Sequence, residues 1–306
     1  MITFYNPRYN MDLGLLNRLH PFDGRKFAKV HRAIQALGLE QRTVESPVPD
    51  AQLDAFAGEI LRPLYASKRY VLRALEVPYI PLLPFSVIDN RVLAPMRWAV
   101  QGTIAAAEAA LGGANCWNLS GGYHHASRNA AEGFCIYNDV GIAVQDLRSR
   151  GMLDADDRIL IVDVDAHHGN GNANVFRQDP HVEILDIYNG DIYPNSPATK
   201  RRVDIGIPLP SGTSGTDYLA RLRGGLEQLK SGARLAFVVA GTDVLASDPL
   251  GALGLSVHQC AQRDRLVFER LKEIGVPAVF LAGGGYGRES ADAMIAGISA
   301  CAQALG

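Results

Sequence analysis

Short apolar runs, each giving way to an amphipathic stretch, constrain this chain more than anything else in its sequence. Five such runs, at 114–119, 158–165, 182–188, 235–240 and 278–282, are bounded by polar or glycine-rich residues. Most are apolar at successive positions, which predicts strands covered on both faces, as in a buried parallel sheet. Helical segments lie between them. Residues 97–111 are rich in alanine and end at Gly112-Gly113, 138–150 are closed by Gly151, and 217–229 follow the loop 211–215. Ser256 with Gln259 forms a capping-box start for a helix reaching Glu273-Ile274, with Gly275 just past its end. Strands alternating with helices make βαβ units, and these stack into a parallel sheet with helices on both faces. The expectation is an α/β, three-layer α/β/α architecture around a central, mainly parallel sheet, in one domain spanning 1–306. No tandem repeat, low-complexity tract or linker is evident. The first 90 or so residues are less periodic, and Pro78, Pro81 and Pro84 suggest an irregular, site-forming segment.

Composition narrows the function classes. With 47% hydrophobic and 20% charged residues, the 306-residue chain has the material for a sizeable core. A formal net charge of −2, with basic residues clustered only briefly as at Lys200-Arg201-Arg202, provides no basic stripe for nucleic acid. Cys116, Cys135, Cys260 and Cys301 form no CxxC pair, which argues against a disulfide framework and against a cysteine-built zinc site. No signal-peptide pattern and no apolar run of membrane-spanning length is found, so a reducing, cytoplasmic setting is expected.

The unusual polar residues gather where the predicted strands end. Run 114–119 leads into Ser120-Gly121-Gly122-Tyr123-His124-His125, and 158–165 into Ala166-His167-His168-Gly169-Asn170. Run 235–240 leads into Gly241-Thr242-Asp243, and 278–282 into Gly283-Gly284-Gly285-Tyr286. Open α/β sheets bind ligands at this carboxyl edge, so four distant segments point at one cleft.

Within that cleft, alternation along an extended chain puts Asp163, Asp165 and His167 on one face. Two carboxylates and an imidazole suit a divalent metal. A single acid at a strand end is more simply a cap or a surface charge. A cluster directly after Ile159-Leu160-Ile161-Val162 is not, because burying such charges unpaired is expensive. Asp243, alone a cap or turn residue, becomes a third ligand in that company, and Asp165, His167 and Asp243 would leave coordination positions open as catalytic zinc requires. His124-His125 is either a satisfied core pair or the acid and base of a hydrolase; histidine serves both roles near neutral pH. Tyr286 after three glycines is either a packing residue or a hydrogen-bond donor to a developing oxyanion. Gly133-Phe134 marks an apolar channel wall or core.

Five blocks together resemble the zinc-dependent histone deacetylases of the arginase/deacetylase superfamily. They are Gly121-Gly122-Tyr123-His124-His125-Ala126, Gly133-Phe134-Cys135-Ile136-Tyr137-Asn138-Asp139, Asp163-Val164-Asp165-Ala166-His167-His168-Gly169, Ala240-Gly241-Thr242-Asp243 with Asp248-Pro249, and Gly283-Gly284-Gly285-Tyr286. Their order and spacing agree with the family, and the resemblance covers nearly the whole chain. Arg8-Tyr9-Asn10, Leu19-His20-Pro21-Phe22-Asp23, Asn170, Asp191-Ile192-Tyr193-Pro194 and Arg263-Asp264-Arg265 resemble its class IV branch.

The resemblance implies an arginase/deacetylase fold and hydrolysis of acyl-lysine amides by metal-activated water. It implies one Zn2+ per chain at Asp165, His167 and Asp243, with Fe2+ as an alternative, and a structural K+ at Asp163, which also orients His124. His124 and His125 would be the acid/base pair, with His125 nearest to the role of base and then acid, and Tyr286 the oxyanion donor. Gly133, Phe134 and Gly284 would line the acyl-lysine path. Asn170 departs from a common pattern, standing where many members carry an aspartate beside the second histidine. A neutral amide orients His125 but supports its imidazolium less. The implied partner is an acyl-lysine protein or peptide, or a small acylated amine such as an acetylpolyamine. A binuclear ureohydrolase would need further carboxylates where the chain has His168-Gly169-Asn170 and Gly241-Thr242. A non-catalytic acyl-lysine binding module is the alternative from another class.

Overall fold

Each of the five apolar runs forms a strand, and three further strands join them. The computed structural model describes residues 1–12, 14 and 22–305; Leu19, His20 and Pro21 of the class IV blocks lie outside the described residues. The strands are β1 (Ile2–Phe4), β2 (Glu40–Arg42), β3 (Cys116–Asn118), β4 (Ile159–Asp163), β5 (Val182–Asn189), β6 (Ile205–Leu209), β7 (Leu235–Val239) and β8 (Ala278–Leu281). They form one eight-stranded sheet in the order β2-β1-β3-β8-β7-β4-β5-β6. Every neighbouring pair is parallel, so the sheet is wholly rather than mainly parallel. Every residue of β4, β7 and β8 is buried, as two-faced coverage requires.

The helices are α1 (Lys26–Ile34), α2 (Asp50–Phe56), α3 (Lys68–Ala74), α4 (Phe85–Ile88), α5 (Ala94–Leu111), α6 (Asp139–Ser149), α7 (Asn170–Val175), α8 (Pro197–Lys200), α9 (Gly215–Leu226), α10 (Val257–Glu273) and α11 (Ser290–Gln303). The four helices expected from the sequence form with small shifts of boundary. α5 starts three residues early and runs on without a break from a π-helical turn over Asp89–Leu93, the irregular turn lying just ahead of Pro95. Ser214 accepts from the Asp217 amide, which moves the start of α9 back to Gly215. α10 carries the reciprocal Ser256/Gln259 capping box. α5 and α6 pack together, with α5 against β1, β3 and β8, whereas α1, α9, α10 and α11 pack as a second group.

Two buried contacts hold the strands that carry the site. Trp117 of β3 and Phe280 of β8 are register partners and stack with ring centroids 4.9 Å apart. Arg263, fully buried on α10, donates to the carbonyls of Val164 and Gly241 and pairs with Asp264 at 2.7 Å. It thereby ties the chain leaving β4 to the chain leaving β7. A buried guanidinium is tolerable only with such partners, and removing one would leave an uncompensated charge.

Candidate active site

Because β3, β4, β7 and β8 are adjacent and parallel, the segments that follow them leave the sheet at one edge. The expected convergence is what the structure shows. Ligand atoms of Asp165, His167 and Asp243 all lie within 4.8 Å of one another, and all three residues are buried. His167 Nδ1 is 3.2 Å from Asp165 Oδ1 and 2.9 Å from Asp243 Oδ2. Backbone amides aim both acids: Gly284 N donates to Asp165 Oδ2 at 2.7 Å, and Ala166 N to Asp243 Oδ1 at 2.9 Å. A methyl group at Gly241 would collide with the Asp165 carboxylate, so glycine is required there.

These residues fit a divalent cation. One imidazole nitrogen carries at most one proton, yet two buried carboxylates face Nδ1 of His167 within hydrogen-bond distance. A cation reached by all three donors resolves that conflict, and two carboxylates match its charge. Burial and the neighbouring Asp165 push the Asp243 carboxyl up to about 7. Burial opposes charge on His167, but Asp165 and Asp243 raise its pKa to about 11.

Asp163 does not join this group. Its Oδ2 pairs instead with His124 Nδ1 at 2.8 Å. His125 Nδ1 meets Asn170 Oδ1 at 2.7 Å, and the two imidazole rings lie 4.1 Å apart. The environments separate them. Burial disfavours charge on His124, yet Asp163 outweighs it and raises the pKa to about 9. His125, buried beside His124 and His167 with only an amide for a partner, is held well below the ordinary range.

Tyr286 is half-buried, its ring 5.4 Å from that of Phe134 and 6.5 Å from that of His167. Tyr286, Phe134, His124 and His125 line a cavity of about 100 Å3, together with Gly133, Gly284, Leu75 and Met96. Gly133 and Phe134 both take left-handed backbone, φ +55° and +65°, in a turn closed by reciprocal Glu132–Cys135 backbone hydrogen bonds. That turn swings the Phe134 ring to the cavity. The irregular segment expected around Pro78, Pro81 and Pro84 contributes less: the wall comes from Leu75 and Val77, just ahead of the prolines.

Several supporting residues escaped the sequence reading. Asp139 accepts from Gly122 N at 2.9 Å, Tyr123 N at 2.8 Å and Thr103 Oγ1 at 2.7 Å, fixing the loop that ends in His124-His125. Asp248 accepts from Tyr286 N at 2.7 Å. Lys26, fully buried, donates to Gly285 O and Ser290 Oγ, both at 3.1 Å. Glu132 accepts from Asn170 Nδ2 at 2.6 Å, and the Tyr193 ring lies 5.2 Å from that of His125. Asp139, Asp248 and Tyr193 sit inside the quoted motif blocks, which was their one visible signal.

A family model described as the histone deacetylase domain matches residues 67–301. Histone deacetylase 2 of Arabidopsis thaliana is 33% identical over 292 residues, covering 94% of this chain and 75% of that protein. An acetoin utilization protein AcuC of Staphylococcus aureus is 34% identical over 155 residues, 47% of this chain and 39% of that protein. The crystal structure of an acetylpolyamine aminohydrolase from Burkholderia pseudomallei superposes with a TM-score of 0.72 at 21% identity, over 98% of each chain, which shows a shared fold.

Proposed function

The chain belongs to the histone deacetylase family, and from that premise we propose that it hydrolyses N-epsilon-acyl-lysine amides with a divalent metal at Asp165, His167 and Asp243. One observation carries the reading: a buried two-carboxylate, one-imidazole group whose imidazole lies 5.8 Å from the His125 ring and 6.5 Å from the Tyr286 ring, beside a cavity that the histidine pair and that phenol line. A cation bound there, zinc in this reading with ferrous iron as the alternative, supplies Lewis-acid polarisation of the scissile carbonyl and of a water molecule.

The chain's own residues do the rest. His125, with Nδ1 engaged by Asn170, keeps Nε2 for proton transfer. It takes the proton from attacking water and returns it to the departing amine. His124 is paired with a carboxylate and keeps its positive charge beside the reacting centre, with Asp163 as its orienting partner. Tyr286 donates its hydroxyl hydrogen to the oxyanion that forms as the carbonyl is attacked. Phe134 and Tyr286 wall a path suited to an unbranched aliphatic stem, and Gly133 and Gly284 let that stem approach the backbone. The K+ implied at Asp163, the class IV affiliation and the single domain over 1–306 belong to the same reading.

A small acylated amine is the second reading, favoured by the fold shared with the acetylpolyamine aminohydrolase. The binuclear alternative has no support, since among the described residues Asp165, His167 and Asp243 form the one group of three or more His, Cys, Asp and Glu side chains placed to share a metal ion. The deciding experiment incubates purified protein of measured metal content with acetyl-, medium- and long-chain acyl-lysine peptides and acetylpolyamines. Turnover that a chelator abolishes, zinc restores and Asp243→Asn removes is the expected result. Metal-loaded protein that binds these peptides without cleaving any of them would instead identify a binding module.

A further inference from the structure

We propose that Glu132 is a positioning residue that sets the tautomer of His125 through Asn170; the catalytic consequence rests on the reading above, the tautomer itself does not. The observation is a chain of three side chains. His125 Nδ1 lies 2.7 Å from Asn170 Oδ1, and Asn170 Nδ2 donates to Glu132 Oε1 at 2.6 Å. The Tyr193 ring packs edge-on against this arrangement, its centroid 5.2 Å from that of His125.

The chemistry follows from donor and acceptor inventories. An amide is nearly symmetric in shape, so Asn170 can present either its oxygen or its nitrogen to His125. With oxygen inward, Nδ1 of His125 carries the hydrogen and Nε2 keeps a lone pair, as a base must. With nitrogen inward, Nδ1 must accept, the hydrogen moves to Nε2, and the neutral imidazole cannot take a proton there. Asn170 alone does not choose between these states. Glu132 does, because its carboxylate oxygen accepts from Asn170 Nδ2 and draws the NH2 group to itself. An aspartate at this position would need no such help, having no donor to misplace. The glutamate one step further out replaces in two residues what a direct histidine–carboxylate pair does in one.

The local fold gives Glu132 little freedom. Its N–H and C=O both bond to Cys135, at 3.1 and 3.0 Å, and the two residues between them have positive φ. A side chain at Gly133 would press on His125, its Cβ 2.5 Å from Cδ2. The same turn thus presents Phe134 to the cavity and Glu132 to the far side of Asn170.

Two readouts test this. The first is the 15N spectrum of histidine-labelled protein, with His125 assigned by difference against His125→Phe. Wild type shows the Nδ1-protonated neutral tautomer, and Glu132→Ala shows a mixture or the Nε2-protonated form. This holds whether or not the protein turns over any acylated amine, so it separates the present proposal from the functional one. The second is turnover of the best acyl-lysine peptide. Glu132→Ala lowers kcat on the order of tenfold or more, the scale of losing one oriented acid–base group, with KM and metal content little changed. Asn170→Asp in the wild-type background sets two acceptor-only carboxylates against each other and also lowers kcat. Combined with Glu132→Gln, whose amide can donate to the introduced carboxylate, it recovers activity to within a few-fold of wild type. An unchanged tautomer in Glu132→Ala overturns the proposal, as does an Asn170→Asp defect that Glu132→Gln deepens rather than repairs.

Discussion

Replacing Lys26 by methionine tests the electrostatics behind the Tyr286 loop. Lys26 is 2% exposed, and its ammonium has only neutral hydrogen-bond partners, the Gly285 carbonyl and the Ser290 hydroxyl, with the Phe22 ring 4.6 Å beneath it. Burial drives its pKa down from 10.5 to about 8, against the upward pull of Asp243, Asp248 and Asp165. The folded protein therefore binds this proton less tightly than the unfolded chain does. Between the two values the unfolded chain keeps a proton that the folded protein has released, so stability rises with pH across that window. At about 1.36 kcal/mol per tenfold, the full difference corresponds to roughly 3 kcal/mol, of which about 2 kcal/mol falls between about pH 7 and about pH 9.5. Methionine fills similar volume and does not titrate. Urea unfolding of both proteins at the two pH values isolates the effect, since every other titrating group is common to the pair. Wild type should gain about 2 kcal/mol on Lys26→Met as pH rises. A difference that stays flat, or moves the other way, would refute the claim that this charge is held in the interior against its solvation.

Two further substitutions separate chemistry from scaffolding. Tyr286→Phe removes one hydroxyl from the cavity wall and should lower kcat by about 10²–10³, with KM and the unfolding midpoint nearly unchanged, as expected for a donor that acts on the oxyanion. A matching rise in KM would assign Tyr286 to substrate binding instead. Asp139→Asn keeps the shape but turns one acceptor into a donor facing an N–H group of the 122–123 backbone. One buried amide then loses its partner, at a cost of about 1–3 kcal/mol, seen as a lower urea midpoint at unchanged slope.

What the sequence made legible, and what it hid, divides along one physical line. β4, β7 and β8 are buried on both faces and so carry unbroken apolar runs, and α10 announces itself through its Ser256/Gln259 cap. β2, by contrast, is Glu40-Gln41-Arg42, fully exposed at the sheet edge, and β6 carries Gly206 and Pro208, which only an edge strand tolerates. α11 packs on both α1 and α10, so its alanine-rich residues show no single apolar stripe to detect.

The same division runs through the site. Asp165, His167, Asp243, His124, His125 and Tyr286 were readable because each follows directly from a buried strand, and parallel pairing brings all strand ends to one edge. Lys26 and Glu132 have no such address. Lys26 meets its carbonyl partner across 259 positions, and Glu132 meets Asn170 across 38. In the sequence Lys26 stands between Arg25 and Lys29, both exposed enough to keep their charges in solvent, and nothing local distinguishes the three. Burial is what separates them, and burial is decided only when the sheet closes and α1 docks against α11. Residues gathered at the proposed site can therefore be found from where strands end. Residues that set protonation and tautomer acquire their function from a partner that the fold, not the neighbouring sequence, supplies.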